Sequence, residues 1–277
     1  MLVNGLSRGT LYMGLLLSLF LVPKAQSTVQ QKSVTQPTFS AKVYFAEQPA
    51  QWRLQAEGPV RLAAAVTSAL QQFSPPLSTL SIDWQRARLH YQTDTLTLSN
   101  KQLQMLHNGE SDVASNQRIA WRSLIRQLQQ QQFAKRAWVN LDPDFTRVVE
   151  GNNPLLSGQY VLYLPSLKTN GSVMVWGAVS HPTLLPWQPN STARDYARQT
   201  SWINSRLSHV TVIQPNGDIE KHPVGYWLEH TFRVQPGAII YVPFTSVSYA
   251  ATTTAQLDEL NQWVIETLRH RLPTNNF

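Results

Sequence analysis

A strand–strand–helix order that occurs twice constrains the fold of this chain more than any other sequence feature. The first copy has strand-like runs at Ala41 to Phe45 and Trp52 to Ala56, followed by an apolar helix that opens at Pro59. The second has runs at Ser172 to Val179 and Leu184 to Trp187, followed by a helix from about Ser191 to Gln199. Mixed β-branched and aromatic runs favour strands, and proline is tolerated in the first turn of a helix. This order opens a β-grasp (ubiquitin-like) unit, although it also fits other α+β folds. Because it occurs twice, we predict an α+β protein with two β-grasp units.

The N-terminus predicts export. Arg8 precedes an apolar run, Leu11 to Val22, and a short segment that ends at Ser27. A basic flank, an apolar core and a small-residue ending are typical of a cleavable signal peptide, and twelve apolar residues are fewer than the roughly 20 of a membrane-spanning helix. We therefore predict a periplasmic protein.

These features predict the domain organisation of the chain. The predicted parts are a signal peptide (1–27), a flexible segment (28–38), a first β-grasp domain (39–167) with a helical insertion at about 74–134, a second β-grasp domain (171–245) and a C-terminal amphipathic helix (254–273). Within the insertion, Ser81 to Tyr91 fits either a short helix or an extended connection. A firmer helix is predicted after Asn116 as its cap, with an apolar stripe of Trp121, Leu124, Ile125 and Leu128.

The last helix has a one-sided apolar stripe. Its members are Leu257, Leu260, Val264, Ile265, Leu268 and Leu272. A helix from roughly Ala255 to Leu272 is about 27 Å long, close to the thickness of a bilayer core, so a membrane-inserting or oligomer-forming helix is one interpretation. We favour a helix that lies across the two β-grasp units, because a one-sided stripe needs only one apolar partner.

Composition limits the chemistry. The chain has no cysteine, and its seven histidines are dispersed without a metal-binding spacing. It also lacks a nucleophile elbow, a P-loop and a dinucleotide fingerprint. We therefore predict no cofactor and no metal site. The net charge is +7, but the basic residues are scattered, which indicates an ordinary solvated surface, and an exported protein is not expected to meet nucleic acid.

The segment between Ala137 and Pro165 contains the acidic candidates. Strands are predicted at Ala137 to Leu141 and Gln159 to Leu164, with Pro143 at a strand end or bulge. Asp142 and Asp144 lie two residues apart, so on an extended chain both face one side. Such a pair can bind a cation or act on a glycosidic bond, but an Asp-Pro-Asp sequence more often caps a turn.

Aromatic side chains can stack on sugar rings, and the chain has nine tryptophans. We predict that Trp121, Trp138 and Trp176 belong to the core. Trp187 and Trp202 lie at loops and are the candidates for an exposed contact.

The second half of the chain contains a distinctive amino-acid sequence. The sequence LDPDFTRVVEGNNPLLSGQYVLYLP, followed by VMVWGAVSHPTLLPW, resembles the GfcC-like capsule-biosynthesis family, periplasmic proteins encoded with polysaccharide export systems. The resemblance extends from about Arg136 to Pro273. The second unit also resembles the soluble-ligand-binding β-grasp (SLBB) module of polysaccharide export proteins, through GAV-x-HP and PGA-I-I-x-VP.

This resemblance implies a role for Arg136. An arginine at this position of the family faces a pocket, where its planar fork of donors can hold a carboxylate or an acidic sugar. The alternative from the residues alone is an arginine that satisfies helix carbonyls or pairs with Asp142. Relatives tend to have a proline where this chain has Trp138.

These observations give one favoured function and two alternatives. The favoured one is a non-enzymatic accessory protein of capsule or exopolysaccharide assembly or export, which binds polysaccharide or an outer-membrane export protein. The first alternative is a polysaccharide-modifying enzyme that uses Asp142 or Asp144. The second is an outer-membrane pore component that uses the C-terminal helix.

Overall fold

Two five-stranded mixed sheets form the framework of the protein. The computed structural model describes residues 38–45, 51–73, 78–92, 97–149, 151–167, 171–203, 207–225, 232–247 and 251–273. All of them belong to one compact unit, Gln36–Phe277. The predicted signal peptide lies outside the described residues, as does the flexible segment except for Thr38.

Strands and helices are interspersed along the chain. The strands are β1 (Phe39–Phe45), β2 (Gln51–Ala56), β3 (Val60–Arg61), β4 (Arg88–Tyr91), β5 (Arg136–Ala137), β6 (Leu155–Leu156), β7 (Gly158–Leu164), β8 (Ser172–Gly177), β9 (Thr183–Pro186), β10 (His209–Ile213), β11 (Ile219–Pro223) and β12 (Ile239–Val242). The α-helices are α1 (Leu62–Gln71), α2 (Asn100–Asn108), α3 (Arg118–Gln130), α4 (Pro143–Val148), α5 (Ala193–Gln199) and α6 (Ala251–Arg269). Short 3-10 turns also lie at Thr79–Ser81, Gly109–Asp112 and Ser115–Gln117.

The two sheets share one strand order. The first is ordered β2-β1-β7-β4-β5, and the second, read from its β9 edge, β9-β8-β12-β10-β11. Each begins with an antiparallel hairpin, β1–β2 or β8–β9. In each, the last strand returns to lie parallel to the first, so β7 pairs with β1 and β12 pairs with β8. The predicted α+β class is confirmed.

The start of the first helix differs from the prediction. Val60 and Arg61 form β3, which pairs with Leu156 and Leu155 of β6, so Pro59 precedes a strand and is not in the first turn of a helix. The helix α1 begins at Leu62, whose N–H donates to the Pro154 carbonyl at 3.0 Å. Local pattern does not reveal this pairing with a distant segment, and because of it the helix begins one short strand later than predicted.

Strand pairing decides the structure of two further segments. Ser81 to Tyr91, whose sequence fits either a short helix or an extended connection, ends in the strand β4, which pairs with β5 and β7. The strand predicted at Ala137 to Leu141 is wrong beyond Ala137, because the Val139 N–H turns back to the Ala137 carbonyl at 3.1 Å and leaves the ladder. Pro143 is the first residue of α4 and not a strand end.

The helices α2 and α3 share their apolar core with the second sheet. The predicted stripe of α3 is confirmed, since Trp121, Leu124, Ile125 and Leu128 are all buried in the same cluster as β8, β12 and α6. The predicted cap is wrong, because Asn116 lies in a 3-10 turn and Gln117 occupies the capping position without a side-chain capping bond. The buried amide of Gln117 bonds Thr245 instead, with its Nε2 donating to Oγ1 at 3.0 Å.

Elements of the second sheet agree with the sequence signals. The β10–β11 hairpin forms around Asn216 and Gly217, an Asn-Gly pair of the kind that favours a tight turn between two strands. Thr192 caps α5, with Asp195 completing a capping box. Every residue of β12 is buried, so both faces of this sheet are covered.

The helix α6 packs on the protein. Five of the six stripe residues are buried in the second-sheet cluster, and only Leu272, beyond the end of the helix, is not. Burial of each such side chain contributes about 1.5 to 3 kcal/mol. Among the residues that the structure describes, no helix combines the length and apolar character needed to cross a bilayer. The chain after α6 then pairs with the residues before β5, where the His270 carbonyl accepts from the Ala134 N–H at 2.9 Å.

Candidate functional site

An open groove of about 660 Å³ lies where the residues around β5 meet the β10–β11 turn and the end of α6. We call it the Arg136 groove. Its walls are Trp84, Gln85 and Ala87 before β4, Arg136 to Asp142 except Ala137, Phe145 of α4, the turn Asn216 to Asp218, and Arg269 of α6. Residues far apart in sequence therefore meet in one concave surface.

Arg136 is buried in the base of this groove. It opens β5, pairs with His90 of β4 in the sheet, and donates its backbone N–H to Nδ1 of His270 at 3.1 Å. The residue is only 6% exposed. Burial, and then the nearby charge of Arg269, lower the pKa of Arg136 to about 10, while Asp218 acts in the opposite direction.

The guanidinium of Arg136 keeps its donors available. Within the described part of the chain, no carboxylate oxygen lies within 4 Å of it, and it makes no hydrogen bond to a helix carbonyl or to Asp142. The alternative in which Arg136 only caps a helix or pairs with Asp142 is therefore wrong for this structure. A buried cation without an anion is costly, and a bound carboxylate or phosphate relieves that cost.

Trp138 forms the aromatic wall, and its predicted place in the core is wrong. The side chain is 44% exposed. The guanidinium carbon of Arg269 lies 4.2 Å from the ring centroid of Trp138, and that of Arg136 lies 5.0 Å away. Both distances fall within the range of cation–π interactions.

The hairpin turn positions this stack from the other side. Arg269 Nε donates to the Gly217 carbonyl at 2.9 Å, and its Nη1 bonds Glu266 at 2.7 Å. Gly217 has a φ of +100°, and a Cβ atom there would lie 2.0 Å from Cζ3 of Trp138. Only glycine allows both the turn and the close approach of the indole.

The two acidic candidates have separate places. Asp142 lines the groove and caps α4, since its Oδ1 accepts from the Asp144 N–H at 2.9 Å. Asp144 lies in the first turn of α4, exposed to solvent and outside the groove lining. The turn-capping interpretation of the Asp-Pro-Asp sequence is therefore confirmed. Among the described residues, no group of three or more His, Asp or Glu side chains is placed to hold a metal ion.

The two tryptophan candidates do not join Arg136. Trp187 donates its indole N–H to the Val234 carbonyl at 2.8 Å and borders a different groove of about 610 Å³. Trp202 pairs with Val179 through an isolated β-bridge. Both are half-buried against the second-sheet core. Of the five candidates, the Arg136 groove brings together Arg136 and Asp142.

Sequence reasoning missed Trp138, Arg269 and the hairpin turn as parts of this groove. One signal was present, because Trp138 follows Arg136 by two residues and extended chain places such residues on one side. Arg269 carried no signal beyond its suitability at the end of a helix. Its contact with Trp138 depends on tertiary packing.

Comparison with known proteins gives two family matches. Residues 40–166 match the model described as "Capsule biosynthesis GfcC, N-terminal", and residues 181–273 match "Capsule biosynthesis GfcC C-terminal". The chain is also 32% identical to the uncharacterized protein YjbG of Escherichia coli (strain K12). That similarity extends over 165 residues, which are 59% of this chain and 64% of the length of YjbG. The two family matches cover most of the chain, which therefore belongs to the GfcC family of capsule biosynthesis proteins.

Proposed function

We propose that this chain is a periplasmic, non-enzymatic accessory protein of capsule or exopolysaccharide assembly or export, and that it binds an acidic polysaccharide in the Arg136 groove. Membership of the GfcC family supports the link to capsule biosynthesis. The signal-peptide pattern at Arg8 to Ser27 supports export to the periplasm.

A single observation carries the binding proposal. The buried, unpaired guanidinium of Arg136 adjoins the half-exposed indole of Trp138 in an open groove. An arginine fork is suited to a carboxylate, and an aromatic face is suited to the apolar face of a sugar ring. The groove is open and not a closed chamber, which suits a polymer better than a small metabolite.

The fold is consistent with this role. We infer that each sheet is a β-grasp unit of the SLBB type, supported by the shared strand order and by the parallel first and last strands. The same units would present the groove to an outer-membrane export protein, the partner that the resemblance implies.

The non-enzymatic role is supported by the state of the acidic candidates. Asp142 is engaged as the cap of α4, and Asp144 faces solvent away from the groove. In cells that depend on this protein for capsule, Asp142→Asn and Asp144→Asn should leave capsule output unchanged. Loss of output in either variant, with normal protein levels, would favour the polysaccharide-modifying enzyme instead.

Binding of the polymer itself tests the proposal. The mature protein is titrated with polysaccharide from the same cells and with the same polymer after its carboxyl groups have been reduced to alcohols. Arg136→Gln should weaken binding of the acidic polymer by about tenfold to hundredfold, as expected for loss of a charge-assisted hydrogen bond. The control is Arg126→Gln, since Arg126 is an exposed arginine of α3 outside the groove.

The reduced polymer separates charge recognition from stacking. It should bind the wild-type protein weakly and show little further loss in Arg136→Gln. Equal binding of both polymers, or equal losses in Arg136→Gln and Arg126→Gln, would reject the proposed site.

A further inference from the structure

A second, smaller cavity of about 70 Å³ lies between the two sheets. Three arginines line it, namely Arg86 just before β4, Arg88 at the start of β4 and Arg271 after α6. Gly237 just before β12 and Ile239 at its start also line it. It is separate from the Arg136 groove. Gln85 and Ala87 line the groove, whereas Arg86 and Arg88 line the cavity.

The three arginines differ in how their charges are balanced. Arg86 forms an ion pair with Asp83, with Nε and Oδ2 2.7 Å apart, and donates to the Ser166 carbonyl at 2.9 Å. Its charge is therefore compensated.

Arg88 and Arg271 lack such a partner. Arg88 donates from Nη1 to the Arg271 carbonyl at 3.4 Å, and Arg271 donates from Nη1 to Gln131 Oε1 at 2.9 Å. The Nε atom of Arg271 is buried without a hydrogen-bond partner. Of the described residues, none places a carboxylate oxygen within 4 Å of either guanidinium. Two half-buried cations thus line one cavity, and Nε of Arg271 is a donor without a partner there.

The electrostatics of the cavity favour an anion. Burial, followed by the charges of Arg136, Arg271 and Arg86, lowers the pKa of Arg88 well below its ordinary value. Burial lowers the pKa of Arg271 to about 10. Because arginine keeps its proton in proteins, both groups stay charged, and the unfavourable field persists until an anion enters.

We propose that this cavity binds one phosphate-sized oxyanion, held between the guanidinium groups of Arg88 and Arg271. Guanidinium forks match the oxygens of a phosphate or sulfate group in direction and number. A volume of about 70 Å³ holds more than one water and is suited to a single small oxyanion. The anion would link β4 of the first sheet to the chain after α6 and to β12, and so would stabilise the contact between the two sheets. This site does not depend on polysaccharide binding in the Arg136 groove.

The test uses the mature chain and inorganic phosphate. Thermal unfolding is followed at increasing phosphate concentration, with sodium chloride at matched ionic strength as the reference, and calorimetric titration gives the stoichiometry. The unfolding midpoint should rise with phosphate beyond the chloride series, with one anion bound for each chain. Identical midpoints in phosphate and chloride, or no heat of binding, would overturn the proposal.

Variants distinguish a site from a purely structural arginine. Arg271→Gln should bind phosphate about tenfold to hundredfold more weakly, while Arg126→Gln should bind it as the wild type does. Arg88→Gln should lower the unfolding midpoint in phosphate, because it removes one of the two groups that hold the anion. In chloride it should have little effect, because the hydrogen bond that it loses is offset by the removal of an uncompensated charge. An equal loss in both salts would mean that Arg88 serves packing alone and would refute the assignment.

Glucose 1-phosphate serves as a second probe, because free phosphate and the phosphate group of a larger molecule share the same chemistry. Both probes binding to the wild-type protein would support a site open to a terminal phosphate group. Binding of inorganic phosphate alone would support a closed site for the free ion. Failure of both would reject the proposal.

Discussion

Asn261 is predicted to anchor α6 to the second sheet. Its side chain is buried on the sheet-facing side of the helix and makes three hydrogen bonds. Oδ1 accepts from the Tyr241 hydroxyl at 2.8 Å and from the Phe244 N–H at 3.1 Å, and Nδ2 donates to the Phe244 carbonyl at 3.0 Å. Burial raises the pKa of Tyr241, so its hydroxyl stays a donor at all ordinary pH values. The perturbation is Asn261→Leu, which preserves the size of the side chain and removes all three bonds.

The expected loss of stability follows from the polar groups that lose their hydrogen-bond partners. The substitution leaves one hydroxyl, one backbone N–H and one carbonyl buried without partners, and each costs about 1 to 3 kcal/mol. Because such losses overlap when water enters, we expect Asn261→Leu to lower the free energy of unfolding by about 4 kcal/mol. That is a large part of the roughly 5 to 15 kcal/mol that stabilises a domain.

Urea denaturation, followed by circular dichroism, measures this effect. The matched control is Gln262→Leu, the same kind of change one residue away on the exposed face of α6, which should alter stability by less than about 0.5 kcal/mol. Tyr241→Phe removes only one donor and should cost about 1 kcal/mol. If Asn261→Leu and Gln262→Leu unfold at the same urea concentration, the helix is not held on the sheet in this way.

Three further predictions concern the turn, a buried histidine and a cap. Gly217→Ala should cost about 1 to 3 kcal/mol and weaken polymer binding, whereas Gly151→Ala, which also has a positive φ but meets no neighbour within 4 Å, should leave binding unchanged in the same titration. Burial lowers the pKa of His90 from 6.5 to about 3, so between these values the unfolded chain binds a proton that the folded chain does not. Stability should therefore fall as the pH drops below 6.5, by about 3 kcal/mol at about pH 4.5, and His90→Gln should abolish this part of the pH dependence in denaturation experiments. Asp142→Ala should cost about 1 kcal/mol through loss of the α4 cap, and a stability unchanged in urea would contradict the capping role.

The sequence predicted most reliably those elements whose signals are local. Asn216-Gly217 marked the β10–β11 hairpin, and Thr192 with Asp195 marked the start of α5. The stripes of α3 and α6 showed which sides of these helices are buried. They did not show against what, and α3 packs on the second sheet although it precedes the last strand of the first.

Elements stabilised by distant partners could not be predicted. The strand β4 contains Arg88 and His90, so its composition does not indicate a strand, yet it pairs on both sides within the first sheet. The short strand β3 exists because it pairs with β6.

The candidate site was likewise only partly predictable from the sequence. Arg136 and Asp142 were identified from the sequence, but the exposure of Trp138 depends on the Gly217 turn and on Arg269, both far along the chain. Local pattern assigned Trp138 to a strand and therefore to the core. Its indole instead contacts two guanidinium groups at the wall of the groove and is half-exposed.

The central claim is that acidic polymer binds in the Arg136 groove, and hydrogen–deuterium exchange of the mature protein with and without that polymer tests its location directly. We predict that bound polymer slows exchange at the amides of residues 136–142 and 216–218, and that Arg136→Gln removes this protection. Protection confined to the other groove, around Trp187 and Val234, or no protection at saturating polymer, would contradict the account.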